Sequence, residues 1–207
     1  MKSSLQESTA LLTERLARFY RQVAPGRLER VRLVYAGELA DYDTTPLKAA
    51  AIRGLLSGLS EERINLINAG VIARRRGLEI VEEKSSTVRQ FTSLVTLEAT
   101  TDQGRMLVSG TVARGEPQLV RIDDYWVNIA LEGYLLVCHN TDQPGVIGAV
   151  GTMLGRENVN IAFMQVRRDH PRGQAIMILG RDDPLPQPIL DRLNATGLVY
   201  DVRRVQV

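Results

Sequence analysis

The residues best placed for chemistry are Asn140-Thr141-Asp142-Gln143-Pro144-Gly145-Val146-Ile147-Gly148, a joint between an apolar run and an amphipathic segment. Residues 134–138 read as a buried strand. Val146, Ile147, Val150, Met153 and Leu154 then recur on one face with period 3.6. Pro144 is expected inside the first helical turn, where its missing N–H costs nothing. Gly145 bares the backbone, so the free N–H groups of a helix start can meet an anion closely. Asp142 beside them can accept from a cation or cap the helix. Amide donors and a carboxylate side by side suit an amino-acid zwitterion. An ordinary capped helix start is the plainer reading of the same residues.

Other chemistries find no pattern. Gly145-x-x-Gly148-x-x-Gly151 has the wrong spacing for a dinucleotide fingerprint, and no acidic residue waits at the next strand for a ribose. There is no P-loop, and Ser85-Ser86 lacks a nucleophile elbow. His139 and His170 have no partners at metal-ligand spacing. No catalytic or metal site is expected. Arg74-Arg75-Arg76 is the densest charge run and reads first as a solvated complement to a helix dipole. The alternative is a pocket for an acidic metabolite, with Lys48, Arg53, Arg63 and Lys84 as further candidates.

The elements that position these groups follow from pattern. Leu12, Leu16, Phe19 and Val23 mark a first helix, stopped by Pro25-Gly26, that serves as a linker or a packing arm. Residues 30–36 alternate as a half-buried strand. Thr44 or Thr45 can cap the next helix, with Pro46 at its opening and Leu47, Ala51, Leu55 and Leu59 inward. Ser60 opens another, with Ile64, Ile67, Val71 and Ile72 inward and Gly77 at its end. A strand at 78–81 follows, then a hairpin of 91–100 and 105–112 around Thr101-Asp102-Gln103-Gly104, and strands at 119–122 and 125–129. From Tyr134 the order is strand 134–140, helix 144–156, strand 159–167, turn 169–173, strand 174–180, helix 186–195, strand 198–206. That is βαββαβ, the ferredoxin-like arrangement. Near 70 residues a lone core is marginal, so self-association is expected, with residues 134–138 as an edge strand meeting its two-fold mate. The fold class is α+β in two layers: a helix or linker at 1–27, a mixed α/β domain at 28–131 and a βαββαβ domain at 132–207.

Composition bounds the partners. The 207 residues are 44% hydrophobic and 24% charged, ordinary for a globular protein. Lys plus Arg (26) against Asp plus Glu (24) leaves +2, too little excess for a dedicated nucleic-acid binder. One cysteine, Cys138, sits in an apolar strand and reads as a small core residue in a reducing compartment. No apolar run approaches the ~20 residues of a membrane span, and Met1-Lys2-Ser3-Ser4-Leu5 lacks a signal-peptide core. A cytoplasmic location is expected.

The Asp142-x-Pro144-Gly145-Val146-Ile147 turn, the Asn158-Val159-Asn160-Ile161 strand entry and the βαββαβ order together resemble an ACT domain. Upstream, Gly37-Glu38-Leu39-Ala40, Ala51-x-Arg53-Gly54-Leu55-Leu56, Ile67-Asn68-Ala69, Ala73-x-x-Arg76-Gly77-Leu78 and Val108-Ser109-Gly110-Thr111-Val112 resemble the intervening, allosteric-substrate-binding domain of long-form D-3-phosphoglycerate dehydrogenase. The resemblance implies a regulatory and oligomerisation module of L-serine biosynthesis. It implies no cofactor in this chain, NAD belonging to the catalytic domains that have no counterpart here. It further implies that L-serine, or a close amino acid, binds between two ACT domains of a homodimer or higher homo-oligomer. Asn140, Asp142 and Asn160 would face the effector, and the amides of Gly145, Val146 and Ile147 would take its carboxylate. Relatives often carry His or Tyr where Asn140 stands. A regulatory subunit of an L-serine dehydratase and a stand-alone ACT regulator remain as alternatives.

Overall fold

A computed structural model describes residues 2–58, 64–88 and 90–207. The chain divides into two compact units. One runs to Asp123 and includes Asn128–Leu131; the other comprises Asp124–Val127 and Glu132–Val207.

The first unit begins with α1 (Lys2–Val23), which takes the packing role and not that of a linker. Leu12, Leu16, Phe19 and Tyr20 lie on one helical face and are almost wholly buried. The Tyr20 hydroxyl donates to the Ala99 carbonyl at 3.3 Å, and burial pushes this phenol up to about 12. The sheet beneath is ordered β2-β1-β3-β4-β5-β6, from β1 (Leu28–Gly37), β2 (Glu79–Ser85), β3 (Ser93–Thr101), β4 (Gly104–Ala113), β5 (Glu116–Ile122) and β6 (Tyr125–Ala130). β1 runs parallel to β2 and antiparallel to β3, and β3 turns into β4 with Thr101 opposite Gly104. The hairpin therefore turns where the sequence signals it.

α2 (Thr45–Leu55) packs on α1 at Gly54, where an added Cβ would stand 2.3 Å from the Glu14 carbonyl and 2.8 Å from the Ala17 Cβ. Asp43, and not Thr44, serves the start of this helix. Its Oδ1 accepts from the Thr45 amide at 3.0 Å and the Thr45 hydroxyl at 2.7 Å, whereas Thr44 makes no side-chain capping bond.

The following helix departs from expectation. Leu59, Ser60 and Arg63 lie outside the described residues, and α3 spans only Ala69–Arg75. Ile67, expected inward, is 91% exposed. The reason is local. The Asn65 Oδ1 accepts from the amides of Ile67 and Asn68, and the Asn68 Oδ1 accepts from the amide of Asn65, so side chains hold a turn there in place of a helix. Ile64 and Ile72 are buried, but Val71 is not. The end of α3 does follow its glycine: the Leu78 amide donates to the Ala73 carbonyl and the Gly77 amide to that of Arg74, with Gly77 at φ 69°.

The second unit has β7 (Tyr134–Thr141), α4 (Val146–Arg156), β8 (Ile161–Arg168), β9 (Gln174–Arg181), α5 (Gln187–Ala195) and β10 (Tyr200–Gln206). Its antiparallel sheet is ordered β10-β7-β9-β8. Leu136, Cys138, Met177 and Leu179 from the sheet share one core with Val150 and Leu154 of α4 and Leu190 and Leu193 of α5. Burial lifts the Cys138 thiol to about 12, as befits a core residue. The expectation that residues 134–138 form an edge is corrected. The crossover through α4 leaves a slot beside β7 that β9 fills, and β10 adds on its other side. The edges are β8 and β10.

Gly54→Ala tests the α1–α2 contact. Alanine favours a helix over glycine by about 1 kcal/mol, but the Cβ would press on the backbone of α1. We expect a net loss of about 1–3 kcal/mol, the usual range for overpacking, measured by chemical denaturation.

Candidate functional site

β7 ends at Thr141 and α4 begins at Val146, so four residues make the joint. Gly145 is the residue before the helix, at φ 94°, a left-handed conformation that glycine adopts without penalty. Pro144 therefore precedes the helix start and does not lie in its first turn. No side chain caps α4. The amides that open it have no carbonyl a turn earlier within the helix to accept from them.

Asp142 does not cap this helix. Its amide donates to the Gly173 carbonyl at 2.8 Å, and its Oδ2 accepts from the Arg172 amide at 3.0 Å and the Arg168 Nη1 at 2.6 Å. The Arg172 amide first, and then Arg168, hold this carboxyl below the usual carboxylate range. Neither arginine is marked by sequence spacing. Only the predicted turn at 169–173 hints that this segment returns to the end of β7.

Asn140 lies on the same sheet face as Leu136 and Cys138 and is 3% exposed. Its Nδ2 donates to the Thr141 carbonyl at 2.9 Å, while its Oδ1 is buried without a partner. Val146 is buried, but Ile147, expected on the inward face, is 53% exposed. The core stripe runs Val146, Val150, Leu154, and one residue along a helix turns Ile147 about 100° away from it.

Asn160 precedes β8, where its Nδ2 donates to the Asp182 Oδ2 at 2.7 Å. Arg168 and Asn140 both lie opposite Ala175, whereas Ile161 lies opposite Arg181. Asn160 thus stands a strand length, about 20 Å, from Asp142 in the same chain. The fold gathers Asn140, Asp142, Gly145, Val146 and Ile147 and leaves Asn160 at the far end.

Three of the basic candidates are engaged separately. Lys48 Nζ meets Glu82 Oε2 at 2.8 Å, Arg53 Nε meets Glu14 Oε2 at 2.7 Å, and Lys84 Nζ donates to the Tyr42 carbonyl at 2.6 Å. Arg74 is exposed in the last turn of α3. His139 stacks on Tyr200 with ring centroids 5.8 Å apart. Among the described residues, no group of three His, Cys, Asp or Glu side chains could hold a metal ion, and no helix is long and apolar enough to cross a membrane.

A family model described as the D-3-phosphoglycerate dehydrogenase intervening domain matches residues 8–123. The chain belongs to the D-3-phosphoglycerate dehydrogenase intervening-domain family. The ACT-domain model matches residues 134–197. Similar proteins named D-3-phosphoglycerate dehydrogenase include those of Synechocystis sp., 38% identical over 198 residues (95% of this chain, 36% of that protein), and Methanocaldococcus jannaschii, 34% identical over 192 residues (93% and 36%). A chloroplastic D-3-phosphoglycerate dehydrogenase 2 of Arabidopsis thaliana is 35% identical over 208 residues (92% and 33%). The chain thus spans about a third of the length of these relatives. With its intervening and ACT domains it is a regulatory region of D-3-phosphoglycerate dehydrogenase-like proteins.

The Asp142 contacts carry a pH signature. Because the folded carboxyl is depressed, their stabilisation is complete above the ordinary Asp value of about 3.9 and is lost as pH falls through the folded value. Melting curves of the wild type and Asp142→Asn should therefore differ at neutral pH and converge once that value is passed.

Proposed function

We propose that this chain binds a small amino acid, L-serine or a close relative, as a regulatory ligand at residues 140–147, and that a second copy completes the site. The observation that carries the reading is the buried, partnerless Oδ1 of Asn140 beside an α4 start that no side chain caps. A buried acceptor without a donor is uncommon in folded proteins, and free helix-start amides favour an anion. An amino acid supplies both complements. Its carboxylate accepts from the amides of Gly145, Val146 and Ile147, and its hydroxyl donates to Asn140. Both contacts of the Asp142 carboxylate, with the Arg168 guanidinium and the Arg172 backbone amide, fall on Oδ2, which leaves Oδ1 for the ammonium.

Asn160 joins this set only across a two-fold axis. β8 is an edge strand, with Ala162, Phe163 and Arg167 exposed. Antiparallel pairing of β8 with its mate puts the start of one strand beside the end of the other. Asn160 of the second copy then stands near Asp142. Dehydrogenase chemistry and NAD belong, on this reading, to the part of the relatives that this chain does not span.

Calorimetry with L-serine tests the proposal. Saturable binding is expected, with Asp142→Ala and Asn160→Ala each weakening it about ten- to a hundredfold, as loss of a charge-assisted or buried hydrogen bond does. Mixed dimers of the two variants place both lesions in one site and none in the other, so they should regain half of the sites. Sedimentation showing only monomer at micromolar concentration would refute the shared site. So would an Asp142→Ala protein that melts earlier yet binds serine unchanged.

A further inference from the structure

We propose that Asp182 is a positioning residue of the amino-acid site, an inference that rests on the reading of a site shared by two copies. It turns the Asn160 amide so that its carbonyl end meets the ligand, and so favours a ligand that carries an ammonium. Asn160 stands just before β8 and Asp182 just after β9. The antiparallel register sets Ile161 opposite Arg181, so the next pair outward is Asn160 with Asp182. The Asn160 Nδ2 donates to the Asp182 Oδ2 at 2.7 Å. An ionised carboxylate only accepts, so this bond decides which end of the amide is which. One N–H is used on Asp182, and among the described residues the Asn160 Oδ1 accepts no hydrogen bond.

Asp182 has a firm base. Its neighbour Arg181 is 5% exposed and donates through Nη1 to the Asp183 carbonyl at 2.7 Å and through Nη2 to the Leu135 carbonyl at 3.2 Å. One buried guanidinium thus fastens the backbone on the far side of Asp182 to β7. Further along, Leu185 is buried and its carbonyl accepts from the Arg204 Nη1 at 3.0 Å. The Asp182 side chain itself is exposed, as is that of Asn160. A surface hydrogen bond of this kind adds little to folding stability, but it removes freedom from the Asn160 side chain that a ligand would otherwise have to restrict. Across the two-fold axis Asn160 of the second copy then brings an Oδ1 to a place where Asp142 also offers one. Two acceptors facing one point match an ammonium, which has three donors, better than a hydroxyl, which has one.

Calorimetry on the full chain tests this with two probes, L-serine and L-glycerate, which carries a hydroxyl where serine has its ammonium. Asp182→Ala should weaken L-serine binding about two- to tenfold, the usual cost of ordering one side chain on binding, with the melting temperature little changed. The preference for L-serine over L-glycerate should narrow in the same variant, because a released amide can turn an N–H toward the hydroxyl. Asp182→Asn keeps an acceptor in place without the charge and should fall between the wild type and Asp182→Ala. The deciding comparison is the double variant. In an Asn160→Ala background, Asp182→Ala should change L-serine affinity no further, because its effect runs through Asn160. A merely structural role would weaken binding in both backgrounds, and that result overturns the proposal. So does an Asp182→Ala protein that binds L-serine like the wild type while Asn160→Ala does not; the shared site then stands without it. If the wild type fails to bind L-serine, the shared-site reading falls and this inference falls with it.

Discussion

Asp142 is held from two directions, and the second unit is arranged around that fact. Its amide and its carboxylate both reach the turn between β8 and β9, through Gly173, Arg172 and Arg168. The end of β7 is thereby tied to the far hairpin before the chain turns at Gly145 into α4. A carboxylate at this position has two competing uses, capping the helix or closing the sheet. Closing the sheet recruits a guanidinium as well as an amide, and charge-assisted bonds are the stronger kind. The helix start is left uncapped as a result, and its open amides follow from the tie.

Local signals in the sequence carried most of the fold. The turn at Asp102-Gln103, the glycine at the end of α3 and the two helices of the second unit each rest on signals that act over a few residues, and each is found in the fold, although α4 starts at Val146 and turns Ile147 outward. The misreadings have separate causes. At Asn65 and Asn68, side chains bond the backbone and displace the first turn of a helix that apolar periodicity alone would begin earlier. At residues 134–138 periodicity identifies a strand but says nothing about its neighbours. A better signal was there: Leu135, Leu136, Val137 and Cys138 form an unbroken apolar run, as strands buried on both faces do. The actual edge strands, β8 and β10, mix in arginine, glutamine and aspartate.

The candidate site was legible to the extent that it is contiguous. Asn140, Asp142, Gly145 and Val146 sit within seven residues, and strand-to-helix geometry brings them together without help from elsewhere. Arg168 and Arg172 lie 26 and 30 residues beyond Asp142, and their approach depends on strand order, which no local pattern encodes. Asn160 is harder still, because a single chain puts it at the opposite end of β8. Placing it requires a symmetry operation.

Three unmet capacities remain at this end of the second unit in a single copy. They are the outer backbone groups of the edge strand β8, the amides opening α4 and the Oδ1 of Asn140. On the proposed reading, pairing of copies satisfies the first, an amino acid satisfies the other two, and Asn160 links the events because the second copy contributes it. A ligand held by groups from both copies binds the paired state better than the separated one, so it must strengthen pairing by the factor by which pairing strengthens its own binding. The regulatory consequence needs no long-range pathway through the fold. It follows from which groups a single copy leaves unsatisfied, and from the strand length that separates Asn160 from Asp142 within one chain.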